Sequence, residues 1–200
     1  MTIDPIENEL DYPSTKEETL WYLGKVIVKK HTDLEEARAC LESTMGSGFS
    51  STATLRQIYG WEHSITRSQM FSVQLIDIPT FVSVHLVRHV TTVPFVRSKR
   101  IDRDGDGTEN RYTPVNHRFL ANAEALINMA RRRLCYQASP ETREVMIRIK
   151  EAIREIDPDL AYYMVPNCVY RGGICPEPKP CGNYKIRRFL GEDDEKNMKK

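Results

Sequence analysis

The chain has no long apolar run. No stretch of about 18 consecutive apolar residues occurs in its 200 residues, so the sequence predicts no transmembrane helix. Residues 1–5 show no basic segment followed by an apolar one, and we therefore expect no secretory signal peptide. Five cysteines are an odd number without an export signal, which favours reduced thiols over a disulfide framework. These absences together predict a cytoplasmic protein that does not associate with membranes.

Several motifs of common enzyme classes are also missing. The sequence contains no glycine-rich phosphate loop, no G-x-S-x-G and no dinucleotide-binding fingerprint. Asp102, Asp104 and Asp106 resemble the start of a calcium-binding loop, but the twelfth position is Thr113 where a bidentate glutamate is required. We therefore interpret this segment as an ordinary turn rather than a calcium site.

Three cysteines near the C-terminal end raise the alternative of a zinc site. Cys168, Cys175 and Cys181 lie within fourteen residues, yet they form no C-x2-C pair and no histidine lies nearby to complete a tetrahedron. Packed free cysteines are the favoured interpretation, and the sequence predicts no metal ion.

The composition is that of one globular domain. With 40% hydrophobic and 28% charged residues, 200 residues can form one sizeable core. We expect a flexible arm over 1–18, a domain over 19–190 and a mobile tail over 191–200. The net charge is only +1, but residues 88–103 concentrate positive charge against the single acid Asp102. An anionic partner is expected there.

Hydrophobic periodicity predicts a single α/β (α+β) domain in which helices flank a central, mostly antiparallel sheet. A helix is expected over 33–44 with Thr32 or Asp33 as its cap, a helical turn over 54–59, and a strand over 71–75. Residues 81–90 fit either a strand or a buried helix. One long helix is predicted over about 114–138, followed by a helix that starts at Pro140 and is bounded by Pro158, and then by an irregular segment over 165–184. The buried stripe assigned to the long helix consists of Phe119, Leu120, Ala123, Leu126, Ile127, Ala130 and Leu134.

A first candidate site begins at Arg88 and His89. Ser98 and Arg100 follow nine and eleven residues after His89, and extended backbone aims alternate side chains the same way. A hydroxyl and a guanidinium would then face one phosphate. The alternative is a solvated basic edge strand, which charge alone favours.

A second candidate site lies on the predicted long helix. Asn122 and Arg133 are eleven residues apart, close to three helical turns, so both should lie on the apolar face. A guanidinium directed toward a core needs a paired anion or several acceptors. Arg133 is therefore either part of an internal ion pair or a ligand anchor, whereas Arg131 and Arg132 are expected to be solvated.

At these residues the chain resembles the flavin-dependent thymidylate synthases, whose signature is R-H-R-x(2)-S-x-N-E-x-S-x-R-Y. Arg88, His89, Ser98 and Arg100 match it in register. A second segment, Asn122-Ala-Glu followed by Arg133-Leu-Cys-Tyr-Gln-Ala, is similar to the family's N-A-R and L-R-L-C-N-x-A-Q stretches. The cysteine-containing stretch 166–182 and the segment 62–67 also resemble family segments, so the resemblance spans about residues 60–184.

The sequence departs from the family pattern mainly at positions that face the substrate. Glu124 stands where an arginine usually helps to hold flavin, and His85 stands where a glutamine is usual. The chain also lacks a helical segment that family members carry between the signature and the long helix. Within the signature, other residue types occupy five positions: Val90, Val93, Phe95, Val96 and Ile101.

The resemblance implies that FAD, reduced by NADPH, mediates transfer of a one-carbon unit from methylenetetrahydrofolate to C5 of a pyrimidine deoxynucleotide monophosphate, with dUMP to dTMP as the leading reaction. It also implies a homotetramer with sites at the subunit interfaces. Carried over by position, the cofactor-binding residues are Arg88, His89, Ser64, Asn122 and Asn128. Ser98 and Arg100 would bind the nucleotide phosphate, and Arg133 and His85 would serve both substrate binding and catalysis.

Other functions are also compatible with these residues. A relative that acts on dCMP, or that makes a modified pyrimidine nucleotide, is favoured by His85 and the three valines of the signature. A catalytically silent relative that binds a nucleotide or nucleic acid is a further alternative. Binding of nucleic acid is disfavoured by the near-neutral net charge and by the lack of aromatic residues among the arginines of 88–103.

Overall fold

A computed structural model describes residues 24–46, 48, 52–103 and 105–182. The expected arm over 1–18 and tail over 191–200 lie outside the described residues. Within the described ranges, no helix is both long enough and apolar enough to cross a membrane.

In the described part of the chain, four strands form one antiparallel sheet in the order β1-β2-β4-β3. The strands are β1 (Lys25–Lys30), β2 (Met70–Pro79), β3 (Val93–Val96) and β4 (Pro114–Asn122). The two central strands, β2 and β4, pair from Met70 opposite Asn122 to Pro79 opposite Pro114, with a bulge between Leu75 and Ile78. Sheet and helices together confirm the predicted α/β class.

The helices are α1 (Leu34–Met45), α2 (Leu55–Trp61), α3 (Thr80–Val87), α4 (Ala123–Arg133), α5 (Pro140–Ile156), α6 (Pro158–Tyr163) and α7 (Asn167–Tyr170), with a 3-10 helix at Ser64–Ser68. Local sequence sets several ends. Asp33 caps α1 by accepting a hydrogen bond from the backbone N–H of Glu36, and Ser139 caps α5 with Pro140 in its first turn. The predicted starts of both helices are thus confirmed. Residues 81–90 resolve as helix α3 and its exit, not as a strand.

The single long helix predicted over 114–138 is wrong. Its first nine residues form strand β4, and helix α4 covers only Ala123–Arg133. Buried side chains alternate along β4 at Val115, His117, Phe119 and Ala121, which is the period of a strand. A helical stripe was inferred because polar His117 hides this alternation in the sequence.

The main core lies between the sheet and the helices α3 to α6. Phe71, Val73 and Leu75 of β2 are fully buried, as are Leu126 and other side chains of α4. Helix α5 packs against β1 and against α4. Burial of each of these apolar side chains stabilises the fold by roughly 2 kcal/mol.

A buried carboxylate joins the sheet to the helices. Asp157, at the junction of α5 and α6, is 2% exposed. Its Oδ2 accepts hydrogen bonds from Nζ of Lys30 at 2.6 Å and from the hydroxyl of Tyr59 at 2.7 Å, while Oδ1 accepts from the backbone N–H of Leu160 at 2.9 Å. Burial and the adjacent Asp157 carboxylate raise the pKa of Tyr59, so the phenol remains protonated and donates. β1, α2 and α6 therefore meet at one satisfied carboxylate.

Candidate functional site

Arg133, the last residue of α4, lies between two histidines of α3 and its exit. Its Nε–H donates to Nε2 of His89 at 2.9 Å, and its Nη2 donates to the backbone carbonyl of His85 at 2.8 Å. The side chain is half-buried, and no carboxylate among the described residues forms an ion pair with it. Two of its five N–H groups are used in these bonds, which fixes the plane of the guanidinium. The structure thus brings together Arg133, His85 and His89.

Both histidines are held neutral. Burial, with the charges of Arg133 and Arg132, lowers the pKa of His89 to about 4. Burial also lowers the pKa of His85, and Arg133, Arg88 and Arg111 act in the same direction, opposed by Glu141. A histidine that accepts a hydrogen bond from an arginine at Nε2 must carry its proton on Nδ1, so His89 is fixed in one tautomer.

Four arginines converge on these histidines: Arg88, Arg111, Arg132 and Arg133, which we call the arginine cluster. Each is near enough to lower the pKa of His85 or His89. Burial, Arg88 and Arg132 likewise lower the pKa of Arg133. Like charges gathered in this way repel one another unless an anion lies between them. The cluster is therefore suited to bind a phosphate or another anionic group.

Arg111 was missed in the sequence. Its backbone carbonyl accepts a hydrogen bond from the N–H of Phe81, which anchors the loop before β4 to the start of α3. Its guanidinium lies over the ring of Phe81, 4.7 Å from the centroid, and beside Tyr112. Phe81 in turn contacts His85 edge to face. The sequence offered only the adjacent pair Arg111-Tyr112 as a signal. The proximity of Arg111 to His85 depends on the tertiary fold.

A chain of hydroxyls orients the ring of His85. Its Nδ1 lies 2.9 Å from Oγ1 of Thr142, which also accepts a hydrogen bond from the hydroxyl of Ser139 at 2.8 Å. Thr142 is fully buried and Ser139 is the cap of α5. The first turn of α5 therefore determines which ring atom His85 presents to the arginine cluster.

Arg131, expected to be solvated, is instead held in a polar clamp. Its guanidinium donates to Glu62, lies over the ring of Tyr170 at 3.4 Å, and donates to Oδ1 of Asn128 at 3.3 Å. The hydroxyl of Tyr170 donates to the second carboxylate oxygen of Glu62 at 2.9 Å. Glu62 adopts a left-handed backbone (φ 53°), a conformation that costs free energy and that these contacts maintain. The buried Nε of Arg131 has no partner within the described residues.

The remaining cofactor-binding candidates lie toward the start of α4. Arg67 of the 3-10 helix donates to both carboxylate oxygens of Glu124, at 2.5 and 3.3 Å. Ser64 begins the same 3-10 helix and is exposed, as is Asn128 on α4. An arginine thus neutralises the glutamate that stands where the resembled family usually has arginine.

The sequence predicted that Asn122 and Arg133 share one face of a helix. The structure shows that they do not. It ends β4 and caps α4, and its Oδ1 accepts a hydrogen bond from the backbone N–H of Ala125 at 2.9 Å. The helix begins only at Ala123, so the three-turn spacing argument fails. Its side-chain oxygen is committed to the cap, and only its amide N–H groups remain for another partner.

Ser98 and Arg100, which the sequence predicts as a phosphate clamp, both take part in local contacts. Arg100 is exposed and forms two 2.9 Å hydrogen bonds with Asp102, which neutralises it. The hydroxyl of Ser98 accepts from the backbone N–H of Arg100 at 3.4 Å. Among the described residues, no hydrogen bond or ion pair connects either side chain to Arg133. Both follow the short edge strand β3, whose four residues are exposed.

The described residues contain no group of three histidine, cysteine or acidic side chains already arranged to hold a metal ion. Asp106 instead closes a local turn, where its Oδ1 accepts from the backbone N–H and the hydroxyl of Thr108 at 2.9 and 2.7 Å. All five cysteines are free thiols.

Comparisons with known proteins identify the fold. No protein-family model matches the sequence. No curated protein matches it either. Among solved structures, the chain is similar to a flavin-dependent thymidylate synthase, ThyX, from Helicobacter pylori complexed with FAD and dUMP, with a TM-score of 0.58 and 13% identity over 70% of this chain and 99% of that one. A second structure of the H. pylori enzyme with FAD and dUMP gives a TM-score of 0.56 and 12% identity over 72% and 99%.

A third solved structure is a UMP/dUMP methylase, PolB, from Streptomyces cacaoi bound with 5-Br dUMP. It has a TM-score of 0.54 and 15% identity over 70% of this chain and 94% of that one. The chain therefore has the fold of the flavin-dependent thymidylate synthases, and the resemblance inferred from its motifs is confirmed at the level of the fold.

Proposed function

We propose that the chain binds a pyrimidine nucleotide monophosphate at the arginine cluster and, with FAD, transfers a one-carbon unit to C5 of the base. The observation that carries this proposal is the convergence of four arginines on two neutral histidines, with Glu141 as the only carboxylate among the described residues that acts on His85. The fold adds support, because two structural neighbours were solved with FAD and dUMP and a third with 5-Br dUMP. dUMP is the first substrate to test.

The donors along α4 fit an anionic cofactor. Arg88 is exposed at the end of α3, close to Arg133, and Asn128 lies midway along α4. The buried Nε of Arg131 still lacks an acceptor among the described residues, and a buried donor of this kind is what a ligand oxygen satisfies. In this proposal Arg88, His89, Ser64 and Asn128 hold FAD, with the remaining amide N–H groups of Asn122. FAD, recharged by NADPH, supplies the hydride chemistry.

The residues of the chain itself bind and orient the nucleotide. Arg133, held by His89 and the carbonyl of His85, presents its remaining N–H groups to the substrate. A guanidinium fixed in one plane before the ligand arrives loses less freedom on binding. Ser139 donates to Thr142, so the Thr142 hydroxyl proton is available for Nδ1 of His85. Nε2 of His85 then carries the proton and suits a carbonyl oxygen of the pyrimidine, in place of the glutamine amide usual in the family.

Other parts of the proposal follow from the resemblance. Methylenetetrahydrofolate is the proposed one-carbon donor, and a cytoplasmic homotetramer the proposed assembly. The tetramer has one structural observation in its favour. β3 is an edge strand whose residues, including Val93, Phe95 and Val96, are about half exposed, and Val90 nearby is 92% exposed. Apolar side chains on an edge strand are typical of surfaces that are covered in an assembly.

The test is a titration of FAD-loaded protein with dUMP, dCMP and UMP, with the flavin absorption band as the signal. We expect a saturable shift with a uracil nucleotide, followed by a product one carbon heavier when methylenetetrahydrofolate and NADPH are added, detected by mass spectrometry. UMP belongs in the panel because one structural neighbour is a UMP/dUMP methylase. If the protein binds no FAD and no nucleotide, the proposal fails. A shift of the flavin band with dCMP alone would identify dCMP as the substrate and leave the proposed reaction class unchanged.

A further inference from the structure

Cys135 lies close to the three cysteines Cys168, Cys175 and Cys181, although it is distant from them in the sequence. Cys135 directly follows Leu134, the residue that caps α4, and Cys168 lies in α7. Helix α4 packs against α7, so the end of α4 is held beside the helix that carries Cys168. Cys175 and Cys181 lie in the segment that follows α7, residues 171–182. Sequence spacing did not reveal Cys135 as a fourth member because 32 residues separate it from Cys168.

Hydrogen bonds turn the segment 171–182 back toward the end of α4. The backbone N–H of Gly173 donates to the carbonyl of Cys168 at 2.8 Å, which reverses the chain after α7. Further along, the side-chain amide of Gln137 donates to the carbonyl of Lys179 at 2.7 Å. Lys179 lies between Cys175 and Cys181, and Gln137 lies two residues after Cys135. Both ends of the cysteine-bearing segment are thus tied to the neighbourhood of Cys135 and Cys168.

The thiols also act on one another electrostatically. Cys135, Cys175 and Cys181 all lie within electrostatic reach of Cys168. Glu177, Cys181 and Cys175 lie within the same reach of Cys135. Cys40, in α1, belongs to neither group. The four thiols therefore share one neighbourhood, and Cys40 lies outside it.

Two of the thiols accept hydrogen bonds from the backbone. The N–H groups of Gln137 and Val169 donate to the sulfurs of Cys135 and Cys168. Hydrogen bonds of this kind orient metal-bound thiolates and distribute their charge. Two ligands would thus be positioned by regular structure, and two would be supplied by a loop.

We propose that Cys135, Cys168, Cys175 and Cys181 bind one structural Zn²⁺ ion as a four-thiolate site. Zinc accepts four thiolates in a tetrahedron, and such closed sites stabilise segments that lack a core of their own. The segment 171–182 is of this kind: it contains no helix or strand, and Gly172, Gly173 and Gly182 have positive φ. The thiols are not yet arranged around one point. Zinc binding therefore draws Cys175 and Cys181 toward the pair on α4 and α7.

The proposal is independent of the nucleotide chemistry, and its test needs no activity measurement. The full chain is purified under reducing conditions, loaded with Zn²⁺, passed through a desalting column and analysed for zinc per chain. Cys175→Ser and Cys168→Ser are compared with Cys40→Ser, which removes a thiol outside the group. We expect one zinc per chain in the wild type and in Cys40→Ser, and zinc affinity at least about 100-fold lower in the other two variants.

Two further measurements separate this site from other outcomes. Co²⁺ in place of Zn²⁺ should give thiolate charge-transfer bands and the visible bands of a tetrahedral ion, and both should be lost in Cys175→Ser. Trypsin cleavage after Arg171, which is followed by Gly172, should slow when Zn²⁺ is present in the wild type but not in Cys175→Ser. Equal zinc content in wild type and Cys175→Ser, absence of zinc, an iron chromophore, or a Cys175–Cys181 disulfide that persists under the reducing conditions would each overturn the proposal.

Discussion

Nε of Arg133 lies 2.9 Å from Nε2 of His89, and the arginine is the donor. The bond requires an unprotonated nitrogen on the histidine, and burial together with two neighbouring arginines keeps that nitrogen unprotonated by lowering the pKa of His89 to about 4. The histidine therefore serves as an oriented acceptor rather than as a charge. It holds the guanidinium without neutralising it, so the full positive charge remains for a ligand.

The first prediction concerns this arginine. Arg133→Ala should weaken binding of dUMP about 10- to 100-fold, since charge-assisted hydrogen bonds contribute about 1.5–3 kcal/mol. The control is Arg154→Ala, which removes the same charge from an exposed position on α5, where Arg154 forms an ion pair with Glu151. Isothermal titration at fixed ionic strength measures both. Equal affinities in the two variants would show that Arg133 does not contact the nucleotide.

The second prediction concerns the pair of Arg67 and Glu124. If FAD lies near the start of α4, the Glu124 carboxylate repels its phosphates unless Arg67 neutralises it. Arg67→Ala should therefore weaken FAD binding several-fold, and the double variant Arg67→Ala with Glu124→Ala should recover most of the loss. A double-mutant cycle on FAD affinity, followed by flavin fluorescence, measures the coupling. Simple additivity of the two changes would place FAD away from this pair.

The third prediction concerns the dependence of stability on pH. Burial lowers the pKa of His117 to about 4, whereas the unfolded chain titrates near 6.5. Between these values the unfolded chain binds more protons than the folded one, so the free energy of unfolding falls as pH decreases from about 6.5 to 4. Protonation of His117 on unfolding lowers the free energy of unfolding by up to about 3 kcal/mol below pH 4. His89, whose pKa is also lowered to about 4, adds in the same direction.

Urea unfolding at pH 7, 5.5 and 4.5, values chosen to span the window of about 4 to 6.5, measures this slope. His117→Asn should flatten it, because an amide does not titrate there and can still bond to Ser83, which lies 3.1 Å from Nδ1 of His117. The matched control is His63→Asn, whose exposed side chain is in water in both states. An unchanged slope in His117→Asn would assign the pH dependence to other groups.

The fourth prediction concerns the buried carboxylate. Asp157→Asn preserves size and the cap of α6 but leaves the ammonium of Lys30 without its counter-charge, at a cost of about 3 kcal/mol. Glu151→Gln, which breaks the exposed pair with Arg154, should cost less than about 1 kcal/mol. Chemical denaturation of both variants at pH 7 provides the comparison. If Asp157→Asn lowered the free energy of unfolding as little as the control does, the Lys30 ammonium would have to reach solvent without destabilising the fold.

Local signals predicted the parts of the fold that local chemistry determines. The Asp33 cap and the Ser139-Pro140 start depend on contacts within a few residues, and both were read correctly. The strand at β2 was visible because Phe71, Val73 and Leu75 alternate with the polar residues Ser72 and Gln74. The β4–α4 boundary was missed because an apolar sequence continues through it and because the buried residue His117 is polar.

The candidate site was predictable in part. Arg133 was singled out because a charge on an apolar face needs a partner, and His89 because it lies with Arg88 at the start of the basic segment. His85 came from the resemblance. Arg111 could not be found in this way, since it reaches His85 through the loop that precedes β4 and the ring of Phe81. Residue spacing did not predict the ion pair of Arg100 with Asp102 either. Both side chains follow an exposed segment whose path depends on the whole fold.

Asn122 is both the last residue of β4 and the cap of α4, so no loop separates the sheet from the helix that carries Arg133. The end of the strand therefore sets the start of the helix directly. One residue inserted in the helix between Asn128 and Met129 would rotate the positions after it by about 100° and turn the guanidinium away from His89. The pairing of Met70 with Asn122 in the sheet therefore helps to determine the direction of the Arg133 side chain, eleven residues further along the chain.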